Sequence, residues 1–133
     1  MHTWLQNLPL FLAGVVQLIP VVGLGGQEPL SSLYGVRIDD PSTLVMMQHR
    51  AVLLGLVGLV LLLAIPFPSF RVLAVGVGLM SKLSYLALVW QAGEVGAPLH
   101  RVATVDLVTA ILLFAAAASL MWERLGTESH SAR

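Results

Sequence analysis

Four long apolar runs constrain this chain more than any other feature of its sequence. They cover about 8–24, 51–65, 70–91 and 101–122. A helix needs about 20 predominantly apolar residues to cross the hydrocarbon of a bilayer. Hydrophobic residues make up 57% of the chain and the mean hydropathy is +0.88, whereas soluble domains are about 45 to 50% apolar. The sequence therefore predicts an all-α integral membrane protein: one four-helix bundle in a single domain, 1–133.

The second apolar run is shorter than the others, and the residues before it explain why. Asp40 is a favourable N-cap residue and Pro41 suits the first helical position, so we expect the four helices at about 8–24, 41–65, 70–91 and 101–122. The outer loop is then 25–40. Its segment Pro29–Tyr34, stopped by Gly35, is interpreted either as a short interfacial helix that covers the bundle or as a loop lying on the lipid headgroups.

Orientation depends on the distribution of Lys and Arg, which is nearly even between the two sides of the predicted bundle. Four spans place both termini on one side, and we favour the cytoplasmic side of the inner (cytoplasmic) membrane for this multi-pass protein. No Lys or Arg precedes the first apolar run and no small-residue cleavage pattern follows it. We therefore expect a mature helix there rather than a signal peptide.

Composition excludes several classes of function. Seven Lys or Arg balance seven Asp or Glu, which gives no basic surface for nucleic acid. The chain has no cysteine, so thiol redox chemistry and cysteine-held metals are excluded. The histidines lack metal-ligand spacing, and no catalytic motif is recognisable. We expect no metal and no cofactor, and an enzyme is the least supported class, since only His49 with Asp106 offers acid–base groups.

Ionisable residues inside the predicted spans are the informative ones, because each costs about 2.5 to 3.5 kcal/mol at a helix centre unless it is paired or hydrated. Lys82 lies near the middle of the third helix and Asp106 about one turn away on the antiparallel fourth helix. The other charged residues, Arg71 among them, are assigned to loops or helix ends. Counting depth along each helix predicts one interior polar layer. Its candidate binding residues are Gln17, His49, Arg50, Lys82, Tyr85 and Asp106.

This layer would carry Arg50 and Lys82 as fixed cations against the single carboxylate of Asp106. Such an excess of positive charge suits an anionic headgroup, a carboxylate or another polar oxygenated ligand. Two structural alternatives remain open. Lys82 and Asp106 can serve as an ion pair that only joins two helices, and His49 and Arg50 can act as interfacial anchors.

Several short motifs carry a resemblance to a known group of proteins. They are Leu33-Tyr34-Gly35, Asp40-Pro41, His49-Arg50-Ala51 with Leu54-Gly55, Ser81-Lys82 and Val105-Asp106. Together they span most of the chain, which resembles small bacterial four-helix membrane proteins of the DoxX-like layout. The resemblance implies a four-helix membrane fold and implies no activity.

Three functions therefore compete. The first is binding of a lipid, quinone or other amphipathic ligand through the interior polar layer. The second is proton- or ion-coupled transport through Lys82 and Asp106. The third is a non-catalytic accessory role, in which small-residue faces dock on a second copy or on a larger membrane partner. We favour the first, because the polar layer lies on one side of the bundle rather than extending through it.

Overall fold

The computed structural model describes residues 2–131, and within that range it contains helices and no strand. The α-helices are α1 (His2–Leu18), α2 (Gln27–Tyr34), α3 (Pro41–Leu63), α4 (Arg71–Ala92) and α5 (Ala97–Ser131), with 3₁₀ segments at Ile19–Gly25 and Pro68–Phe70. Four helical segments, Gln6–Gly25, Pro41–Leu63, Pro68–Ala92 and Ala97–Glu123, are long and apolar enough to cross a membrane. The prediction of an all-α four-helix membrane bundle is confirmed.

The four long helices form a ring in chain order. Helix α1 packs against α3 and α5, and α4 packs against the same two neighbours. Consecutive long helices run in opposite directions, so α1 and α4 are parallel and face each other across the diagonal of the bundle. We name the two ends of the bundle after their landmarks: the Arg71 end, where α4 begins, and the α2 end, which α2 covers.

The helix boundaries follow from local chemistry. At the start of α3, the Asp40 carboxylate accepts hydrogen bonds from the Thr43 backbone N–H and hydroxyl, both at 2.8 Å. The backbone hydrogen bond in particular lowers the pKa of Asp40. Helix α2 ends at Gly35, whose φ of 65° is in the left-handed region that favours glycine. Helix α1 begins at His2, six residues before the predicted start, because polar side chains of its first turns have partners inside the bundle.

An apolar core fills the bundle toward the Arg71 end, with buried side chains from all four long helices. Its members are Leu10, Ala13, Leu61, Ala64, Ala74, Val75, Leu113 and Ala116. Small residues allow close helix approach in lipid: a Cβ added to Gly58 of α3 would lie 2.8 Å from the Gly14 carbonyl oxygen of α1. The packing of α1 on α3 thus depends on glycine at this crossing.

A second, smaller apolar cluster holds α2 over the other end. Leu30 and Tyr34 of α2 are buried together with Ile38, and partly buried side chains from α3 and α5 pack against them. The segment between the first two spans is therefore a helix seated on the bundle. Of the two interpretations of this segment, the structure shows the covering helix.

Candidate functional site

Lys82 is the centre of the polar layer, and it is almost fully enclosed, with 1% of its side chain exposed. Its Nζ donates to Gln17 Oε1 of α1 at 2.7 Å and to Asp106 Oδ1 of α5 at 2.5 Å. Gln17 Nε2 in turn donates to the Ser81 hydroxyl at 2.9 Å. The chain of bonds joins α1, α4 and α5. A buried lysine paired in this way holds three helices in register while its charge is balanced by one carboxylate.

Arg50 lies beside this centre in a different environment. Its guanidinium carbon is 5.1 Å from the ring centroid of Tyr34 and 5.3 Å from that of Tyr85, both within cation–π range. The ion pairs within the described part of the chain are Arg37–Asp39 and Lys82–Asp106, so Arg50 has no carboxylate partner there. Arg50 also donates no hydrogen bond to any described residue, although a guanidinium carries five N–H donors.

The hydrogen-bonded network around Lys82 and the Arg50 side chain border a cavity of about 190 Å³ between the long helices and α2. Its polar wall is formed by Gln17, Tyr34, Arg50, Ser81, Tyr85, Arg101 and Asp106. Its apolar wall is formed by Val16, Ile19, Pro20, Leu33, Leu54, Val102 and Val105. Convergent polar groups in a mostly apolar cavity are typical of small-molecule sites.

Two tyrosine hydroxyls contribute to the polar wall. The Tyr85 hydroxyl oxygen is buried and has no hydrogen-bond partner among the residues that the structure describes. Burial of Tyr34 where α2 packs on the bundle raises the pKa of its phenol, so this group is a neutral donor at physiological pH. A buried hydroxyl without a partner is unfavourable, so the Tyr85 hydroxyl is a candidate donor to a bound ligand.

Five of the six predicted site residues come together here, and His49 does not. Gln17, Lys82 and Asp106 are linked by hydrogen bonds, while Arg50 and Tyr85 are in ring contact. The His49 side chain is exposed and is not part of the cavity wall. Neighbouring residues on a helix point about 100° apart, so Arg50 and His49 cannot both face the same interior.

The predicted position of Arg71 at a helix end agrees with the structure, but the sequence did not predict its burial. Arg71 does begin α4, but only 7% of it is exposed. Its guanidinium donates to the side chains of Gln6 and Asn7 at 2.6 and 2.8 Å, and to the carbonyls of Ala64 and Ile65. These carbonyls belong to the C-terminal end of α3, where the helix dipole favours a cation.

The sequence interpretation also missed three residues of the cavity wall: Tyr34, Ser81 and Arg101. The Ser81 hydroxyl accepts a hydrogen bond from Gln17 of α1. Tyr34 was placed on a covering segment without a role inside. A signal for Arg101 was present in the sequence: it lies five residues, about one and a half turns, before Asp106 on α5, so the two residues are close in depth.

Comparison with protein-family models, with curated proteins and with solved structures gives no match to this chain. The DoxX-like resemblance therefore stays a prediction. Fold and site define a class: a four-helix membrane bundle with an apolar core at one end and, at the other, a partly open, mostly apolar cavity with a few converging polar groups. Among the side chains that the structure describes, no group of His, Asp and Glu is arranged to hold a metal ion.

Proposed function

We propose that this protein binds the head of an amphipathic molecule, a lipid or a quinone, in the cavity beneath α2. The observation that carries the proposal is Arg50, which lines the cavity without a carboxylate or hydrogen-bond partner among the described residues. A charged side chain at the centre of a spanning helix costs about 2.5 to 3.5 kcal/mol when it is not compensated. A ligand with oxygen acceptors would offset that cost.

The size and the lining of the cavity support a head rather than a whole lipid. A cavity of about 150 Å³ is large enough for benzene, and this one has about 190 Å³. That space suits a carboxylate, a phosphate or a quinone ring, whereas an acyl chain or isoprenoid tail would extend beyond it. The apolar wall is suited to the first part of such a tail.

Transport is disfavoured by the way polar groups are distributed along the bundle. The cavity and the Arg71 centre are separated by the apolar core, to which every long helix contributes. A proton or ion path needs polar or hydrated groups along its length. Proton flux into proteoliposomes should therefore be undetectable, and a flux abolished by Asp106→Asn would favour the transport alternative.

The decisive experiment is native mass spectrometry of the full chain released from nanodiscs made with its own membrane lipids. Arg50→Gln should lose the co-purified molecule, because the amide removes the charge while preserving much of the side-chain length. Arg37→Gln is the matched control, since Arg37 is exposed, pairs with Asp39 and lies outside the cavity. Identical bound masses in wild type and Arg50→Gln would contradict the proposal.

The proposal includes a location in the cytoplasmic membrane with both termini in the cytoplasm. Four spans require the termini to lie on one side, whichever side that is. Reporter fusions to the C-terminus test the orientation: a fluorescent protein that matures only in the cytoplasm should be active there, and an alkaline phosphatase that needs an oxidising compartment should be inactive. The opposite pattern would reverse the orientation.

A further inference from the structure

The cavity has an opening, and the exposure of its lining residues shows where that opening is. Three wall residues are exposed: Ile19 in the 3₁₀ segment after α1, and Arg101 and Val105 on one face of α5. Ile19 is 50% and Val105 is 44% exposed. All three lie within spanning segments. The opening therefore lies on the side of the bundle, between the first and last spans.

Access from the water side is obstructed by α2. Leu33 and Tyr34 of α2 line the cavity, and Leu30 and Tyr34 are buried in the cluster that seats α2 on the bundle. The apolar core obstructs the opposite direction. A molecule that reaches the cavity thus has its shortest route through the lateral opening.

We infer that the ligand is an anionic bilayer amphiphile, with a carboxylate or phosphate head, that enters sideways between the 3₁₀ segment Ile19–Gly25 and α5. This inference rests on the proposed function and specifies both the substrate class and the route. The proposed ligand is therefore a charged lipid rather than a neutral quinone, and it comes from the membrane rather than from the surrounding water.

The charges around the cavity favour a ligand with an anionic head. Lys82 and Asp106 form a contact ion pair and balance each other. Arg50 remains inside the cavity and Arg101 at its opening, and neither forms an ion pair with a described carboxylate. Two uncompensated guanidiniums favour an anionic head over a neutral one, and guanidinium geometry matches carboxylate and phosphate oxygens.

The Tyr85 hydroxyl adds a second, independent observation. Its oxygen is buried in the same wall and has no partner in the part of the chain that the structure describes. An anionic oxygen placed between Arg50 and Tyr85 would satisfy both donors. The tail of the same molecule would then leave past Ile19 and Val105 into the surrounding hydrocarbon.

The head is tested with three probes added separately to the full chain in phosphatidylcholine nanodiscs: oleate, phosphatidic acid and the neutral decylubiquinone. Native mass spectrometry should show retention of oleate or phosphatidic acid and little of the quinone. Arg50→Gln should weaken retention about tenfold or more, as expected when a charged hydrogen-bonding partner is lost. Arg37→Gln should leave it unchanged.

Tyr85→Phe keeps the test decisive if Arg50→Gln does not fold. The substitution removes only a hydroxyl that lacks a protein partner, so the bundle should fold as well as the wild type. Retention of the anionic probe should still fall several-fold. Retention of the anionic probe by folded Tyr85→Phe that equals retention by the wild type would overturn the anionic-head inference.

The route is tested by narrowing the opening. Val105→Trp should slow the uptake of oleate from the bilayer several-fold, whereas Leu107→Trp should not, because Leu107 is similarly exposed on α5 and is not part of the cavity wall. Inorganic phosphate added to the water should not displace bound oleate. Unchanged uptake by Val105→Trp, or displacement by phosphate, would overturn the lateral route.

The outcomes separate the inference from the function on which it rests. Preferential retention of decylubiquinone, independent of Arg50, would overturn the anionic head and leave an amphiphile-binding protein. Retention of none of the three probes, together with identical co-purified masses in wild type and Arg50→Gln, would overturn both.

Discussion

Arg50 and Arg71 both lie among the spanning helices, but their surroundings are opposite. Arg71 donates to four protein acceptors, two of them main-chain carbonyls at the end of α3. Arg50 has no hydrogen-bond partner among the described residues, is flanked by two aromatic rings and borders a cavity. A guanidinium whose donors are satisfied by the protein stabilises the fold. One whose donors remain available is able to bind something else.

The two polar centres are otherwise built alike. Gln6 pairs with Arg71, and Gln17 pairs with Lys82. Gln17 follows Gln6 by eleven positions in α1, and Lys82 follows Arg71 by eleven positions in α4. A step of eleven residues returns to nearly the same face about 16 Å farther along the helix. The same α1–α4 diagonal is therefore bridged twice by a glutamine and a cation. The centres differ in what surrounds them: helix-end carbonyls at one, a cavity and an extra arginine at the other.

The largest expected effect is that of Arg71→Met. It leaves the acceptors of Gln6 and Asn7 and two carbonyls without their donor, and at least three such groups at about 1 kcal/mol each give a loss of about 3 kcal/mol or more. Thermal unfolding in detergent, followed by circular dichroism, measures it. Arg50→Gln should unfold close to wild type, and equal losses in the two variants would remove the distinction between the centres.

Lys82→Met should cost less, about 2 kcal/mol, although a fully buried ion that loses its partner costs about 3 to 5 kcal/mol. The reason is that Asp106 borders the cavity and is 14% exposed, so water can solvate its carboxylate. The double variant Lys82→Met/Asp106→Leu should recover most of the loss, since an apolar pair replaces the ion pair. A double variant less stable than Lys82→Met would show that the carboxylate has another partner.

A matched glutamine pair sharpens the comparison at smaller scale. Gln17→Leu should cost about 1 to 2 kcal/mol, because Lys82 has only two protein acceptors and loses one. Gln6→Leu should cost about 0.5 kcal/mol or less, since Arg71 keeps three acceptors. The substitution also removes the buried Gln6 Nε2, which has no partner in the described structure. The reverse order would contradict the assignment of the weaker network to Lys82.

The smallest loss of stability is expected from substitution of Asp40. Its exposed hydrogen bonds to Thr43 serve as a reference for the two buried centres. Its pKa is lowered from the ordinary 3.8 by the Thr43 hydrogen bonds, so its stabilising effect is present above that value and is lost as the pH falls through the lowered pKa. Asp40→Ala should lower the unfolding temperature slightly at pH 7, and the difference from wild type should vanish in acid. A constant difference would indicate that charge is not involved.

The sequence predicted the fold for a simple physical reason: uninterrupted apolar runs have few stable conformations in a bilayer other than spanning helices. It also predicted the start of α3 from Asp40 and Pro41 and the depth of Lys82 relative to Asp106, since these depend on local chemistry and on a fixed rise per residue. The side on which a helix packs was harder to predict, as His49 and Arg50 show.

What the sequence alone determined, therefore, is the number of spans and the depth of the polar residues along them. Only the tertiary structure decided which of these residues have protein partners. Arg71 was predicted only to lie at a helix end, and the carbonyls of Ala64 and Ile65 that accept its hydrogen bonds lie beside it only because the end of α3 packs there. Arg50 has no hydrogen-bond acceptor among the described residues, because the groups facing it are aromatic rings and a cavity. Satisfaction of a hydrogen-bonding group depends on contacts between segments distant in the chain, and hydropathy does not encode those contacts.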